Sequence, residues 1–225
     1  MPSDGIARLV DPLAVAPWVA GGPPRVLALH EDRRIALITN LMTDDEIAHF
    51  LQLAKSLWAP SEVRQAAGDA GNLNTQDRTY RTSSSALLEF AQTSMVRAVE
   101  ERVAKLSQVP LDYLERANLV RYEPGQQFKV HHDGSFRQKT LFVYLNDLPE
   151  DDGGETRFPN LGLLFRPRKG CALLWSNLLP DGRQDLDLQH EGLPTKSATK
   201  YGINFFINKR PLRSLGVAMP PRPAA

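Results

Sequence analysis

Three short apolar runs constrain what this chain can become: Leu141-Phe142-Val143-Tyr144-Leu145, Cys171-Ala172-Leu173-Leu174-Trp175 and Ile203-Asn204-Phe205-Phe206-Ile207. They belong to a stretch, from Asn118 onward, of short β-rich segments punctuated by Gly, Pro, Asn and Asp. Runs of that length with that punctuation read as strands, and several in succession read as a sandwich or jelly roll. The preceding part has helical texture. Thr43-Asp44-Asp45-Glu46 forms a capping box with acidic residues at the positive helix end, and Ile47, Phe50, Leu51, Ala54, Leu57 and Trp58 then recur at helical spacing. Val96, Val99, Val103 and Leu106 mark a second helix, starting near Thr93 or Ser94 and stopped before Pro110. The expected fold is mainly β with flanking helices.

Residues 1–30 hold Pro12, Pro17, Gly21-Gly22 and Pro23-Pro24, a leader too punctuated for a long helix. Residues 31–210 are expected to be one domain and 211–225, with Pro220-Pro221-Arg222-Pro223, a flexible tail. Gly68, Gly71, Asn72 and Asn74 favour a loop over 68–76, either a lid or a plain connector. A chain of 225 residues can bury an adequate core without disulfides or a structural metal, so a metal found here is expected to be functional.

Charge and cysteine usage remove several function classes. Twenty-seven basic and 26 acidic residues leave a net charge of +1, so neither nucleic acid nor an anionic membrane surface is an expected partner. Cys171 is the only cysteine, which rules out an internal disulfide, a thiolate zinc site and a redox pair, and its apolar flanks make it a packing residue. No basic region opens the chain, and Pro12 and Pro17 interrupt the apolar positions from Leu13 to Val19. A soluble, cytoplasmic protein is the expectation; nothing here addresses oligomeric state.

The chemistry is carried by His131, Asp133, His190 and Lys200. In a strand, residues i and i+2 share a face, so His131 and Asp133 can aim together into a barrel mouth while His132 faces away. Two imidazoles and one carboxylate leave the opposite metal positions open, the arrangement of non-heme Fe(II) oxygenases. H-x-D alone is a weak pattern, and a second copy stands at His30-Glu31-Asp32 beside Arg33 and Arg34. His190 is the one histidine further downstream, either the third ligand or a surface residue in a polar loop. Lys200 opens an apolar strand, where a lysine is either an edge residue facing water or a cation turned inward to grip a carboxylate.

These residues sit within a larger set: Arg81-Thr82-Ser83-Ser84, then Tyr122-Glu123-Pro124-Gly125-Gln126-Gln127-Phe128-Lys129-Val130-His131-His132-Asp133, Tyr144-Leu145-Asn146, Gly153-Gly154-Glu155-Thr156-Arg157-Phe158-Pro159 and His190-Glu191-Gly192-Leu193-Pro194 with Lys200. With this set the chain resembles a prolyl 4-hydroxylase-type Fe(II)/2-oxoglutarate dioxygenase over residues 35–208. The resemblance implies a double-stranded β-helix (jelly-roll) core, His131, Asp133 and His190 as iron ligands, and Lys200 on the C5 carboxylate of 2-oxoglutarate. It also implies Tyr122 and Thr156 as hydrogen-bonding partners of that cosubstrate and Arg137 as a substrate-binding residue. The implied reaction hydroxylates an unactivated C–H bond with O2 while 2-oxoglutarate becomes succinate and CO2; ascorbate is a further cofactor it admits. Halogenases of the family lack the carboxylate that Asp133 supplies, so hydroxylation is the expectation.

The chain departs from the family pattern at Phe128, where tyrosine is usual, at Tyr201, where tryptophan is usual, and at Ala198, where glycine is usual. Only Gly134-Ser135-Phe136 separate Asp133 from Arg137, where peptide-binding members carry a longer loop. Three readings follow: a hydroxylase of a prolyl or other peptide side chain, a hydroxylase of a free amino acid or small metabolite, and a non-catalytic jelly-roll binding module. A zinc hydrolase would leave Lys200, Tyr122 and Thr156 without a shared purpose. An alkylated-base repair dioxygenase would favour arginine at position 200.

Overall fold

The three apolar runs become neighbours in one sheet. The computed structural model describes residues 7–15, 19, 21–30, 35–64, 74–75 and 80–213. In chain order its elements are β1 (Arg8–Val10), α1 (Pro12–Val15), β2 (Arg25–His30), β3 (Ile35–Thr39), α2 (Asp44–Ala54), β4 (Ala59–Pro60), β5 (Val63–Arg64), β6 (Asn74–Thr75), β7 (Ser84–Leu87) and α3 (Ser94–Ser107). They continue with β8 (Asn118–Tyr122), β9 (Phe128–His131), β10 (Arg137–Tyr144), β11 (Thr156–Phe158), β12 (Leu163–Phe165), β13 (Ala172–Ser176), β14 (His190–Gly192) and β15 (Lys200–Asn208). An eight-stranded sheet has the order β2-β3-β13-β10-β15-β8-β7-β4, and a five-stranded sheet the order β1-β12-β11-β14-β9. Strand β10 pairs antiparallel with both β13 and β15, which brings the three runs together.

Both faces of the larger sheet are covered, which is why its strands read as continuous apolar runs and not as apolar–polar alternation. Leu141 and Val143 of β10, with Ile203, Phe205 and Ile207 of β15, pack on one face against Ile47 and Phe50 of α2 and Val96, Val99 and Val103 of α3. Phe142 and Tyr144, with Leu173, Trp175 and Tyr122, face the other way, against Phe158 and Phe165 of the five-stranded sheet. The period of two thus sorts one strand into a helix-facing set and an interior set. The functional residues belong to the interior set.

The helices begin where their caps predict. Thr43 accepts the Glu46 amide at 3.2 Å while Glu46 Oε2 accepts the Thr43 amide at 3.0 Å, and Thr93 Oγ1 caps α3 by accepting the Val96 amide at 3.1 Å. Helix α2 ends at Ala54, short of Leu57 and Trp58. There the chain tightens into i→i−3 bonds, Lys55 to Gln52 and Leu57 to Ala54, and those two side chains pack on the core from outside the helix. Helix α3 stops at Gln108, whose φ of 55° breaks it before Pro110.

The described part of the 1–30 leader is built into the sheets. Strand β1 pairs parallel with β12, β2 pairs antiparallel with β3, and Asp11 holds Arg168 through two hydrogen bonds of 2.9 and 2.5 Å. At the other end Leu212 donates to the Asp112 carbonyl, and Arg213 pairs with the buried Glu100 at 2.9 Å. Of the 68–76 loop, Asn74–Thr75 pair with Val63–Arg64; its other residues, Asp32 of the second H-x-D and residues 214–225 lie outside the described residues. No described helix is long and apolar enough to cross a membrane.

Candidate metal centre

Strand register brings the two histidines together. His131 is the last residue of β9 and His190 the first of β14, and the two are direct cross-strand partners with ring centroids 4.3 Å apart. Asp133 does not continue the strand, contrary to the i, i+2 expectation. The chain turns at His132, which donates from Nε2 to the Asn177 carbonyl at 3.0 Å and accepts the Gly134 amide at Nδ1, and Gly134 adopts a φ of 98°. His132 faces away as expected, and Asp133 still converges. Its Oδ1 lies 3.8 Å from His131 Nε2 and its Oδ2 3.7 Å from His190 Nε2, so the three side chains offer ligand atoms within 4.8 Å of one another.

The protonation states suit a metal. His131 Nδ1 lies 2.8 Å from the Lys129 carbonyl and His190 Nδ1 3.0 Å from the Leu188 carbonyl. A carbonyl can only accept, so each imidazole carries a hydrogen on Nδ1 and turns Nε2 inward as the atom that can ligate. Burial, reinforced by neighbouring His190, pushes His131 well below the ordinary imidazole range, which keeps it neutral. Burial also acts to raise the Asp133 carboxyl, but His190, His131, Arg137 and the Thr140 hydroxyl outweigh it and hold Asp133 below the usual carboxylate range. The His190 reading as a surface residue falls, because the side chain is 8% exposed.

Lys200 turns inward. Strand β15 lies between β10 and β8, so it is not an edge, and Lys200 is 2% exposed opposite Tyr122 on β8. Its Nζ donates to the Gly154 carbonyl at 2.7 Å and sits 5.5 to 5.7 Å from the rings of Tyr122, Phe142 and Tyr144. Burial brings its pKa down from 10.5 to about 8, partly opposed by Glu155. Thr156 on β11 is buried and accepts the Tyr144 hydroxyl at 2.8 Å, which leaves its own hydroxyl hydrogen free to donate. Gly192, paired with Thr156, keeps the wall thin: a Cβ there would stand 3.8 Å from the Tyr122 hydroxyl and 3.9 Å from Lys200 Nζ. His131, Asp133, His190, Lys200, Tyr122 and Thr156 line one cavity.

Arg137 is placed differently. Its guanidinium forms a two-pronged pair with Glu115, 2.8 Å at each contact, and lies 3.5 Å above the Phe206 ring. Arg81, quoted in a motif but not singled out from sequence, does line the cavity; it stacks over Phe128, which stacks in turn on His131 at 3.5 Å. Trp175, within an apolar run that reads as strand packing, stands with its ring 4.8 Å from His190, and its buried Nε1 has no partner among the described residues. Thr140, which donates to Asp133 Oδ2 at 2.6 Å, carried one faint signal: it is a polar residue leading into an apolar run.

Residues 117–208, which hold all of this site except Arg81 and Glu115, match the family model described as the 2OG-Fe(II) oxygenase superfamily. Curated relatives include probable prolyl 4-hydroxylase 11 of Arabidopsis thaliana, 35% identical over 66% of this chain and 55% of that protein. The segment 117–208 is thus similar to the 2OG-Fe(II) oxygenase superfamily, and the curated relatives that the chain resembles are of the prolyl 4-hydroxylase type. Prolyl 4-hydroxylase subunit alpha-1 of Gallus gallus is 27% identical over 79% of this chain and 36% of that one. This chain thus spans only part of the curated relatives it matches. The architecture agrees with this match: the viral collagen prolyl hydroxylase of Paramecium Bursaria Chlorella virus-1, solved as its 2OG complex, superposes with a TM-score of 0.64 at 22% identity, over 80% of this chain and 98% of that one, and so shares its fold. The two facing sheets are therefore a double-stranded β-helix.

The superfamily implies Fe(II), 2-oxoglutarate and O2, and the donor set fits them. Two imidazole nitrogens and a carboxylate on one side suit Fe(II) with positions left open. Lys200, a buried ammonium bonded to one carbonyl, suits a carboxylate ligand; Trp175 Nε1 is a further open donor.

Proposed function

We propose that this chain is an Fe(II)/2-oxoglutarate-dependent dioxygenase that hydroxylates an unactivated C–H bond, prolyl 4-hydroxylase-like in its motifs. The observation that carries the reading is the convergence of two Nδ1-anchored imidazoles and Asp133 in the cavity that also buries Lys200. His131, Asp133 and His190 would hold the iron, and Lys200, Tyr122 and Thr156 the 2-oxoglutarate. When bound, iron, 2-oxoglutarate and O2 supply the oxidising power, with release of succinate and CO2. The protein's own part is to present three ligands from one side, neutralise a carboxylate at Lys200, and line the rest of the cavity with Phe142, Trp175 and Phe206 so that water is excluded. Anaerobic addition of Fe(II) and 2-oxoglutarate tests this, since a competent site gives a metal-to-ligand charge-transfer absorption and a mere jelly-roll binding module gives none.

For the substrate, a prolyl or other peptide side chain is the first reading, supported by the peptide-hydroxylating relatives, among them the Trichoplax adhaerens prolyl hydroxylase solved with a hypoxia inducible factor peptide. A free amino acid or small metabolite is the second. It is favoured by the three-residue connection from Asp133 to Arg137 and by Glu115, which already occupies the Arg137 guanidinium. Succinate release screened over peptides, amino acids and metabolites separates the two. The reading includes ascorbate as an accessory reductant and a cytoplasmic location, supported by a single buried cysteine whose thiol burial pushes up to about 12.

A further inference from the structure

Each of the three converging side chains is aimed by a hydrogen bond, but the sources differ in kind. His131 and His190 use carbonyls two residues away on their own backbone. Asp133 lies beyond the end of β9, on the short connection to β10, so strand register does not aim it. Its carboxylate accepts instead from Thr140 Oγ1, at 2.6 Å, seven residues along the chain. Thr140 is fully buried, at a central position of β10 with Trp175 on one side and Phe206 on the other.

The direction of that bond is imposed from behind. Asn177 Nδ2 donates to Thr140 Oγ1 at 2.9 Å, and an amide NH2 can only donate. The Thr140 hydrogen is therefore turned towards Asp133 Oδ2. Asn177 is itself fixed by backbone bonds: its amide donates to Gln138, and its carbonyl accepts from Asp185 N and His132 Nε2. The arrangement leaves Asn177 Oδ1 buried without a partner among the described residues, a standing cost that an apolar side chain would avoid. Packing alone thus gives no reason for an Asn–Thr pair here, whereas aiming a carboxylate does.

We propose that Thr140 and Asn177 are positioning residues that hold the Asp133 carboxylate in the rotamer that faces His131 and His190. With Oδ2 tethered to Thr140, the carboxylate stays turned towards the two histidines, and the metal-facing geometry exists before metal arrives. The proposal rests on the reading of Asp133 as a metal ligand.

Equilibrium competition with a chromogenic chelator, run anaerobically without cosubstrate, measures Fe(II) affinity independently of turnover. Thr140→Val keeps the shape and removes the hydroxyl, and should weaken Fe(II) binding about 10- to 100-fold. Thr140→Ser should restore affinity to within about threefold, since the donor returns. With Co(II) as the probe, the ligand-field spectrum should change in Thr140→Val and recover in Thr140→Ser. Asn177→Ala, which leaves β10 unaltered, should weaken binding less, and its effect should vanish in the Thr140→Val background because both act through one bond. Wild-type affinity and spectrum in a folded Thr140→Val, or additive effects in the double variant, would overturn the proposal. Absence of Fe(II) binding by the wild-type chain is a different result: it would overturn the reading of the site, and this proposal with it.

Discussion

Replacing Lys200 by methionine should move two quantities in opposite directions. The side chain is 2% exposed, and its pKa falls from 10.5 to about 8. At about 1.36 kcal/mol per unit, holding the charge in that place costs on the order of 3 kcal/mol in the unliganded protein. A methionine of similar length removes the cost while keeping the packing against Tyr122, Phe142 and Tyr144. The unliganded variant should therefore be more stable, by about 1 to 4 kcal/mol. Its 2-oxoglutarate affinity should fall roughly 10- to 150-fold, the loss of one charged hydrogen bond worth about 1.5 to 3 kcal/mol. Calorimetric titration of 2-oxoglutarate into the anaerobic Mn(II)-loaded protein measures the second quantity, and denaturant unfolding of the free protein the first. The pH dependence follows from the same shift. Between about pH 8 and 10.5 the unfolded chain keeps a proton that the folded chain has released, so the free wild type gains stability as pH rises through that window, and Lys200→Met loses this slope. Cosubstrate affinity should weaken above pH 8 by up to about tenfold per unit as the ammonium is lost. Unchanged affinity in the variant would remove Lys200 from the cosubstrate site, and a less stable free variant would refute the argument from burial.

Asp133→Ala should abolish substrate-coupled succinate formation; undiminished turnover in iron-replete buffer would remove Asp133 from the ligand set. Arg137→Ala should destabilise the protein by about 3 to 5 kcal/mol in urea unfolding, because Glu115, with its side chain 8% exposed, is left charged and unpaired, and Arg137→Met with Glu115→Gln should recover most of the loss. A loss under about 1 kcal/mol would mean that water reaches Glu115. Gly154→Ala should lower both the melting temperature and 2-oxoglutarate affinity. Its φ of 79° costs an alanine about 1 to 2 kcal/mol, a Cβ would meet Thr195 Cγ2 at 2.8 Å, and its carbonyl is the one that holds Lys200; wild-type affinity would show the carbonyl is dispensable.

What was legible in the sequence was what a short window of residues encodes. The capping box at Thr43 and the N-cap at Thr93 are each complete within four residues, and both helices start there. The apolar runs declared strands because the sheet that holds them is covered on both faces, and all three lie inside it, in the order β13-β10-β15, with no edge among them. The site divides in the same way. His131 and His190 are legible because a chain with five histidines offers few choices, and Lys200 because the resemblance places it ten residues after His190, although Ala198 and Tyr201 beside it depart from the family pattern. The expected strand at Asp133 failed because Gly134 and the His132 brace end β9 two residues early, and that brace depends on a carbonyl 45 residues away. Pairings between distant residues were the hidden part. Glu115 and Arg137 are 22 positions apart, Thr140 and Asn177 are 37 apart, and neither spacing carries a period that a strand or helix would impose. Such pairs exist only once the sheets have closed, yet they decide what the legible residues can do. Arg137, a substrate-binding residue by family resemblance, spends its planar donor face on Glu115, while Asp133, whose spacing pattern is weak without that resemblance, depends on Thr140, a residue just outside the apolar run. The ligand types were therefore visible before the fold, and their aim was not, because aim is a property of the second set of residues and not of the first.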